Sequence, residues 1–240
     1  MKTQVSLKKG EDRQRLPCLL LLLLPVFVWS CNGNDELIPQ RANIMFINAY
    51  EGATNGVVFK VDNTSLRTGT VSLGTASPNT LVYSEDLQLS ASAGGAGSSS
   101  PLASRNALLS SGKYYSCFLA DSMGTPAMVL VEDSLSAPDS ANTAKIRVIN
   151  LNKQLGEIAF GVQDSVPLFN TVAFSVMSPS ALIDSGMHKM AVYNAADRTN
   201  PIASIDFQAV SGSIYSFFIW GPVGDNKKAT ISYIALTEAQ

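Results

Sequence analysis

Two stretches of this chain recur, and the recurrence constrains the fold more than any other feature. Ala42 to Ala49 (Ala-Asn-Ile-Met-Phe-Ile-Asn-Ala) resembles Ala144 to Leu151 (Ala-Lys-Ile-Arg-Val-Ile-Asn-Leu). Further on, Gly112 to Leu119 resembles Gly212 to Ile219, with the shared pattern Gly-x-x-Tyr-Ser-x-Phe-aliphatic. Each later match is followed by a turn and a last apolar run, Ala127 to Asp133 in the first half and Ala229 to Ala235 in the second. The opening pair is offset by 102 residues (Asn48 to Asn150) and the later pair by 100 (Gly112 to Gly212). Near-equal offsets imply two similar units of about 100 residues, a common domain size.

Each unit reads as β. Short runs rich in Val, Ile, Phe and Tyr alternate with Gly, Pro, Asn, Asp and Ser. The first unit is expected to hold strands over Ile44–Asn48, Val57–Val61, Leu81–Leu89, Tyr114–Ala120 and Met128–Glu132. The second is expected to hold Ile146–Asn150, Ile158–Val162, Thr171–Val176, Lys189–Tyr193, Ala203–Phe207, Tyr215–Trp220 and Thr230–Ala235. Spaced short strands with turn chemistry between them point to an all-β chain of two β-sandwiches. The boundaries are 42–134 for the first unit, 135–143 for a linker holding Pro138, Asp139 and Ser140, and 144–240 for the second. Ser90 to Pro101 is Ser, Ala and Gly apart from its proline and reads as a flexible surface loop. No Gly-Lys-Ser/Thr follows its glycines, so it is not a phosphate loop.

The opening strand ending in Ile-Asn, the late Gly-x-x-Tyr strand and the closing apolar strand resemble the tandem units of domain-of-unknown-function family 4397. The resemblance covers most of Ala42 to Leu236 and is weaker in the middle of each unit. It implies immunoglobulin-like sandwiches on a secreted or surface-anchored bacterial protein. It brings no established activity and no catalytic residues.

The first thirty residues carry an address. Lys2, Lys8, Lys9, Arg13 and Arg15 make a basic start, and Leu16 to Val28 is an apolar run interrupted by Pro25. A membrane-spanning helix needs about 20 apolar residues, so the run fits a signal peptide over 1–30. Val28-Trp29-Ser30-Cys31 resembles the lipobox of bacterial lipoproteins. That resemblance implies diacylglycerol on the Cys31 thiol, cleavage before Cys31, acylation of the new amino group and a lipidated tether over 31–41. Asn32 stands where an Asp would resemble an inner-membrane retention signal, and Asp35-Glu36 resemble a surface-export signal. The expected location is therefore the cell envelope, with the lipid in the outer membrane and the chain exposed at the surface.

Composition narrows the partners. Only 15% of residues are charged and the net charge is −2. Nucleic-acid binding needs clustered Lys and Arg, and the mature chain offers only the adjacent pair Lys227-Lys228. The expected partners are the membrane, through the lipid, and a glycan or surface protein.

Catalytic chemistry is sparse. Once Cys18 leaves and Cys31 carries lipid, Cys117 is the remaining thiol. It sits in a strand-like run and reads as a small buried apolar side chain. The single histidine, His188, reads as a strand-edge residue with no nucleophile elbow in the sequence. One His and one free Cys fall short of a zinc site. Asp197 with Asn200, and Asp225 with Asn226, read as turns. No metal, cofactor or enzymatic activity is expected.

Two recognition features remain. Trp220 ends a strand before Gly221-Pro222, at one end of the second sandwich, where it either contacts a ligand or covers the core. Asp-Ser-apolar triplets place Ser122, Ser134, Ser140 and Ser165 in a resemblance to an O-glycosylation sequon, or in ordinary turns. The leading expectation is a non-enzymatic envelope lipoprotein displaying two units for adhesion, assembly or scaffolding. The alternatives are a glycan-binding lipoprotein, favoured by an exposed Trp220, and a fimbrial subunit cleaved after Arg41, favoured by a loosely held first strand.

Overall fold

The computed structural model describes residues 40–95, 100–222 and 227–237, the side chains of 66–68 excepted. The signal peptide, Cys31, most of the tether, residues 96–99 and the Asp225-Asn226 pair lie outside them.

The apolar runs form strands. In the first half these are β1 (Arg41–Asn48), β2 (Val57–Val61), β3 (Thr64–Val71), β4 (Thr80–Tyr83), β5 (Asp86–Ala93), β6 (Ala103–Leu108), β7 (Tyr114–Ser122) and β8 (Thr125–Asp133). In the second they are β9 (Thr143–Asn150), β10 (Ile158–Val162), β11 (Phe169–Val172), β12 (Ala181–Asp184), β13 (Gly186–Asn194), β14 (Ala203–Ala209), β15 (Ile214–Trp220) and β16 (Thr230–Leu236). A 3-10 turn at Lys153–Leu155 follows β9, with Asn152 accepting from the Gln154 N–H at its start.

The strands build four sheets, ordered β4-β1-β7-β8 and β3-β2-β5-β6 in the first half and β12-β9-β15-β16 and β11-β10-β13-β14 in the second. Lettered A to H along each half, both halves are D-A-G-H against C-B-E-F. The expectation of two β-sandwiches holds. The strand order differs from the immunoglobulin constant type, which sets A-B-E-D against C-F-G. Phe46, Phe59, Leu89 and Cys117 fill the first core; Phe160, Met190, Phe207 and Phe217 fill the second.

Equivalent residues carry equivalent bonds. Ile44 pairs with Tyr115 across β1 and β7, and Ile146 pairs with Tyr215 across β9 and β15. The two tyrosine hydroxyls accept from the N–H groups of Ser110 and Val210. Asn48 and Asn150 end their strands, each amide oxygen accepting the N–H two residues on, from Tyr50 and Asn152. Ser77 and Ser178 accept the Phe46 and Val148 N–H groups that face the loop before β4 and β12. These side chains satisfy buried backbone groups where the sheet ladder stops, a need that any such corner must meet.

Three readings change. Leu81–Leu89 is two strands in different sheets, β4 and β5, with Ser84 and Glu85 between them. Ser90 to Ala93 belongs to β5, and Ser90 and Ser92 are buried; small side chains let the strand pack closely, so their low hydropathy hid it. Strands β3, β6 and β12 went unread because they are short or polar sheet edges, where charged and hydroxyl side chains face water.

The structure adds a third core. Met45, Ile47, Phe118, Ala120 and Val129 of the first sandwich cluster with Ile149, Leu151 and Phe218 of the second. Residues 40–240 thereby form one compact unit of four sheets. The rings of Phe118 and Phe218, equivalent positions of the repeat, lie 5.9 Å apart between the halves. Asp121, near the end of β7, forms a parallel bridge to Asn152, just past β9, and its N–H donates to the Leu151 carbonyl, so β1, β7, β9 and β15 run in the same sense. The central strands of the two D-A-G-H sheets, β1, β7, β9 and β15, are buried on both faces, which explains the near-continuous apolar runs at Ile44–Ile47, Tyr115–Ala120 and Tyr215–Ile219.

This geometry predicts cooperative unfolding. Chemical denaturation followed by Trp220 fluorescence and by far-ultraviolet circular dichroism is expected to give coincident single transitions, and Phe218→Ala is expected to lower stability by about 3–5 kcal/mol. Two separated transitions would show that the halves fold independently.

Candidate functional site

The chemically richest place in the described chain is the seam between the sandwiches. Asp133 ends β8 and Arg147 lies in the middle of β9, so the connection through 134–142 returns the chain to its own first half. The Arg147 Nη2 donates to Asp133 Oδ1 in a buried ion pair. The remaining lone pairs and protons are taken up around it. Ser116 Oγ donates to Asp133 Oδ2 at 2.8 Å, and Arg147 Nε donates to Ser216 Oγ at 2.7 Å. Ser116 and Ser216 are the serines of the repeated Tyr-Ser step, so the same sequence element supplies one donor and one acceptor to the same network. A buried charge pair is tolerable only when its other hydrogen-bonding capacity is met, and this one meets that condition.

The connection itself is held. Lys145 Nζ donates to the carbonyls of Ser136 and Ala137, both at 2.8 Å. At the other end of the seam Asp121 is buried, its Oδ1 accepting the Gly124 N–H at 2.6 Å.

Trp220 belongs to this seam. It is half-buried, packs against the third core and donates its indole N–H to Ser232 Oγ at 2.9 Å. Its ring lies against Gly74 of the first sandwich, where an added Cβ would come within 3.2 Å of it. Gly74 also has φ +73°, a conformation that suits glycine. Trp220 is thus a wedge between the halves, and its polar atom is already engaged.

The other candidates are not brought together. Cys117 is fully buried in the first core, as its apolar run led one to expect, and Phe118 points the opposite way into the third core. His188 lies on β13 of the second sandwich, its Nε2 2.7 Å from the Asp184 carbonyl oxygen. Asp197 caps a turn by accepting from the Thr199 N–H, which holds its carboxyl below the usual range. Ser134, Ser140 and Ser165 are exposed on loops, whereas Ser122 is half-buried in the β7–β8 hairpin. Among the described residues no group of three His, Cys, Asp or Glu could hold a metal ion. No helix among them is long and apolar enough to cross a membrane.

Sequence reasoning missed the Arg147–Asp133 pair. The available signal was Arg147 itself, a charge at the second position of an otherwise apolar Ile-Arg-Val-Ile strand, where the first half has Met45.

Two tests follow from these sites. Asp133→Ala leaves Arg147 buried without a counter-charge and is expected to cost about 3–5 kcal/mol. The double variant Asp133→Leu/Arg147→Met, which copies the residues at the mirrored places (Leu236 and Met45), is expected to recover most of that loss in urea titrations. Burial pushes the Cys117 thiol from 9.0 up to about 12. The unfolded chain therefore loses this proton first as pH rises. The stability tied to the neutral thiol is intact below about pH 9 and declines towards pH 12, by at most about 1.4 kcal/mol per pH unit. Cys117→Ala is expected to flatten that alkaline limb, compared by denaturation at pH 7.5 and pH 10.

A search among curated proteins finds no match for the chain. The family model described as Domain of unknown function (DUF4397) matches residues 42–161, from the start of β1 through most of β10 and so across the seam. With half its length matched and the repeated strands in the places described, the chain belongs to the DUF4397 family.

Proposed function

We propose that this protein is a non-enzymatic lipoprotein of the cell envelope, anchored through Cys31 and presenting its paired sandwiches as one stiff block for adhesion, assembly or scaffolding. The observation that carries the reading is the seam. Its third apolar core and its Arg147–Asp133 pair turn two sandwiches into a single unit, the property a spacer or docking platform needs. The residues with the strongest recognition or catalytic chemistry are spent on holding that unit together: Trp220 on Ser232 and Gly74, Arg147 on Asp133 and Ser216, Cys117 in a core. The lipobox resemblance at Val28 to Cys31 supports the anchor, and Asn32 with Asp35-Glu36 supports an outer-membrane, surface-facing position. Several acyl chains give durable attachment where one gives marginal binding.

The alternatives fare less well. A glycan platform built on Trp220 needs a ring free to stack, and this ring is wedged at the seam. A fimbrial subunit that sheds its first strand after Arg41 needs that strand at an edge. β1 instead lies between β4 and β7, hydrogen-bonded on both sides and buried almost throughout.

Cells fed labelled palmitate are expected to label the wild-type protein and not Cys31→Ser, which leaves the membrane fraction; a labelled mutant would end the anchor reading. Photo-crosslinking on intact cells is expected to capture envelope proteins or polysaccharide. Hydrolysis of model esters or peptides that Cys117→Ala abolishes would overturn the non-enzymatic reading.

A further inference from the structure

We propose that one end of the block, the end where β1 begins, rests against the lipid bilayer, with apolar loop tips from both sandwiches as the contact. The proposal rests on the Cys31 anchor.

The topology defines that end. The chain reaches β1 through Gln40, whose carbonyl accepts the Ser84 N–H, and the Gly112 N–H donates to the Arg41 carbonyl. The Leu109 N–H donates to the Glu85 carbonyl. These bonds place the β4–β5 corner and the β6–β7 turn beside the start of β1. The second sandwich repeats the arrangement. The Gly212 N–H donates to Thr143, the first residue of β9, and the Ser185 N–H donates to Asn142. Because β1, β7, β9 and β15 share one direction, both sets of turns lie at the same end of the block.

Exposed apolar side chains gather there. Tyr83, Leu108, Val166, Met187 and Val210 are between 53% and 79% exposed, all at strand ends or turns of this end. Among the described residues the opposite end offers Met123 and Val176. Single exposed apolar residues need no explanation, but these five all stand at the end from which the tether leaves.

The occupant follows from the length of the chain outside the block. Nine residues lead from Cys31 to Gln40, a span of at most about 30 Å even when fully extended. A strand of eight residues is itself about 26 Å long. The tether therefore keeps this end near the bilayer in most of its conformations. The far end could touch the bilayer only with the tether drawn out along the whole height of the sandwich.

The test uses the full-length protein, lipidated in a host that adds no O-glycan and reconstituted into phosphatidylcholine vesicles. Cys31 is then blocked by lipid and Cys117 is buried, so a new cysteine is the one site open to an environment-sensitive dye. Dye at Val210→Cys or Leu108→Cys is expected to shift to the blue and to be quenched at least twofold more by spin-labelled lipid than dye at Met123→Cys. Vesicle flotation with equal quenching at all three positions would overturn the membrane-facing end and leave the anchor standing. A protein that neither floats nor takes up labelled fatty acid would overturn the anchor, and this proposal with it.

Discussion

Burial of both faces of β1, β7, β9 and β15, the central strands of the two D-A-G-H sheets, is the constraint on which the rest of the architecture depends. A sheet in a simple sandwich needs one apolar face. Here the Ile47 and Phe118 face of one sheet is mainly apolar at its centre and closes on the Ile149 and Phe218 face of its repeat. That demand decides where the chain can place its polar groups. Ser116, Ser216, Asp133 and Arg147 sit inside the seam because each meets a partner there, and an unmet donor or charge in that position would cost more than the apolar contacts return.

Much of this was legible in the residues. The offset repeats located both sandwiches, and the register makes Ile44–Tyr115 and Ile146–Tyr215 equivalent pairs. Strands buried on two faces announce themselves through unbroken apolar runs, so β1, β7, β9 and β15 were the easiest to find. Edge strands such as β6, with Ser104, Arg105 and Asn106 exposed, carry no such signature. The Ile-Asn strand endings were visible as a motif. That the asparagines cap the corner by accepting the N–H two residues on is a fact of three dimensions.

The candidate site was harder. Trp220 was singled out correctly as a strand-end aromatic, but a single residue says nothing about what lies against it. Its neighbour, Gly74, is 146 residues away in the chain and belongs to the other half. Asp133 appeared only as the last residue of a run. Long-range pairing of a charge with its partner has no local pattern to read.

The seam is nearly a two-fold arrangement, yet its charge is not shared evenly. The first half brings Met45 and Asp133 to the places where the second brings Arg147 and Leu236. Two copies of the first half, docked in the same way, would bury a pair of carboxylates with no cation. Two copies of the second would bury a pair of guanidinium groups with no anion. Either homotypic assembly carries a desolvation penalty that the mixed pair avoids. Each half thus recognises the other in preference to itself. The covalent join supplies the complementary half within the same polypeptide, and pairing of like halves between neighbouring molecules carries the desolvation penalty.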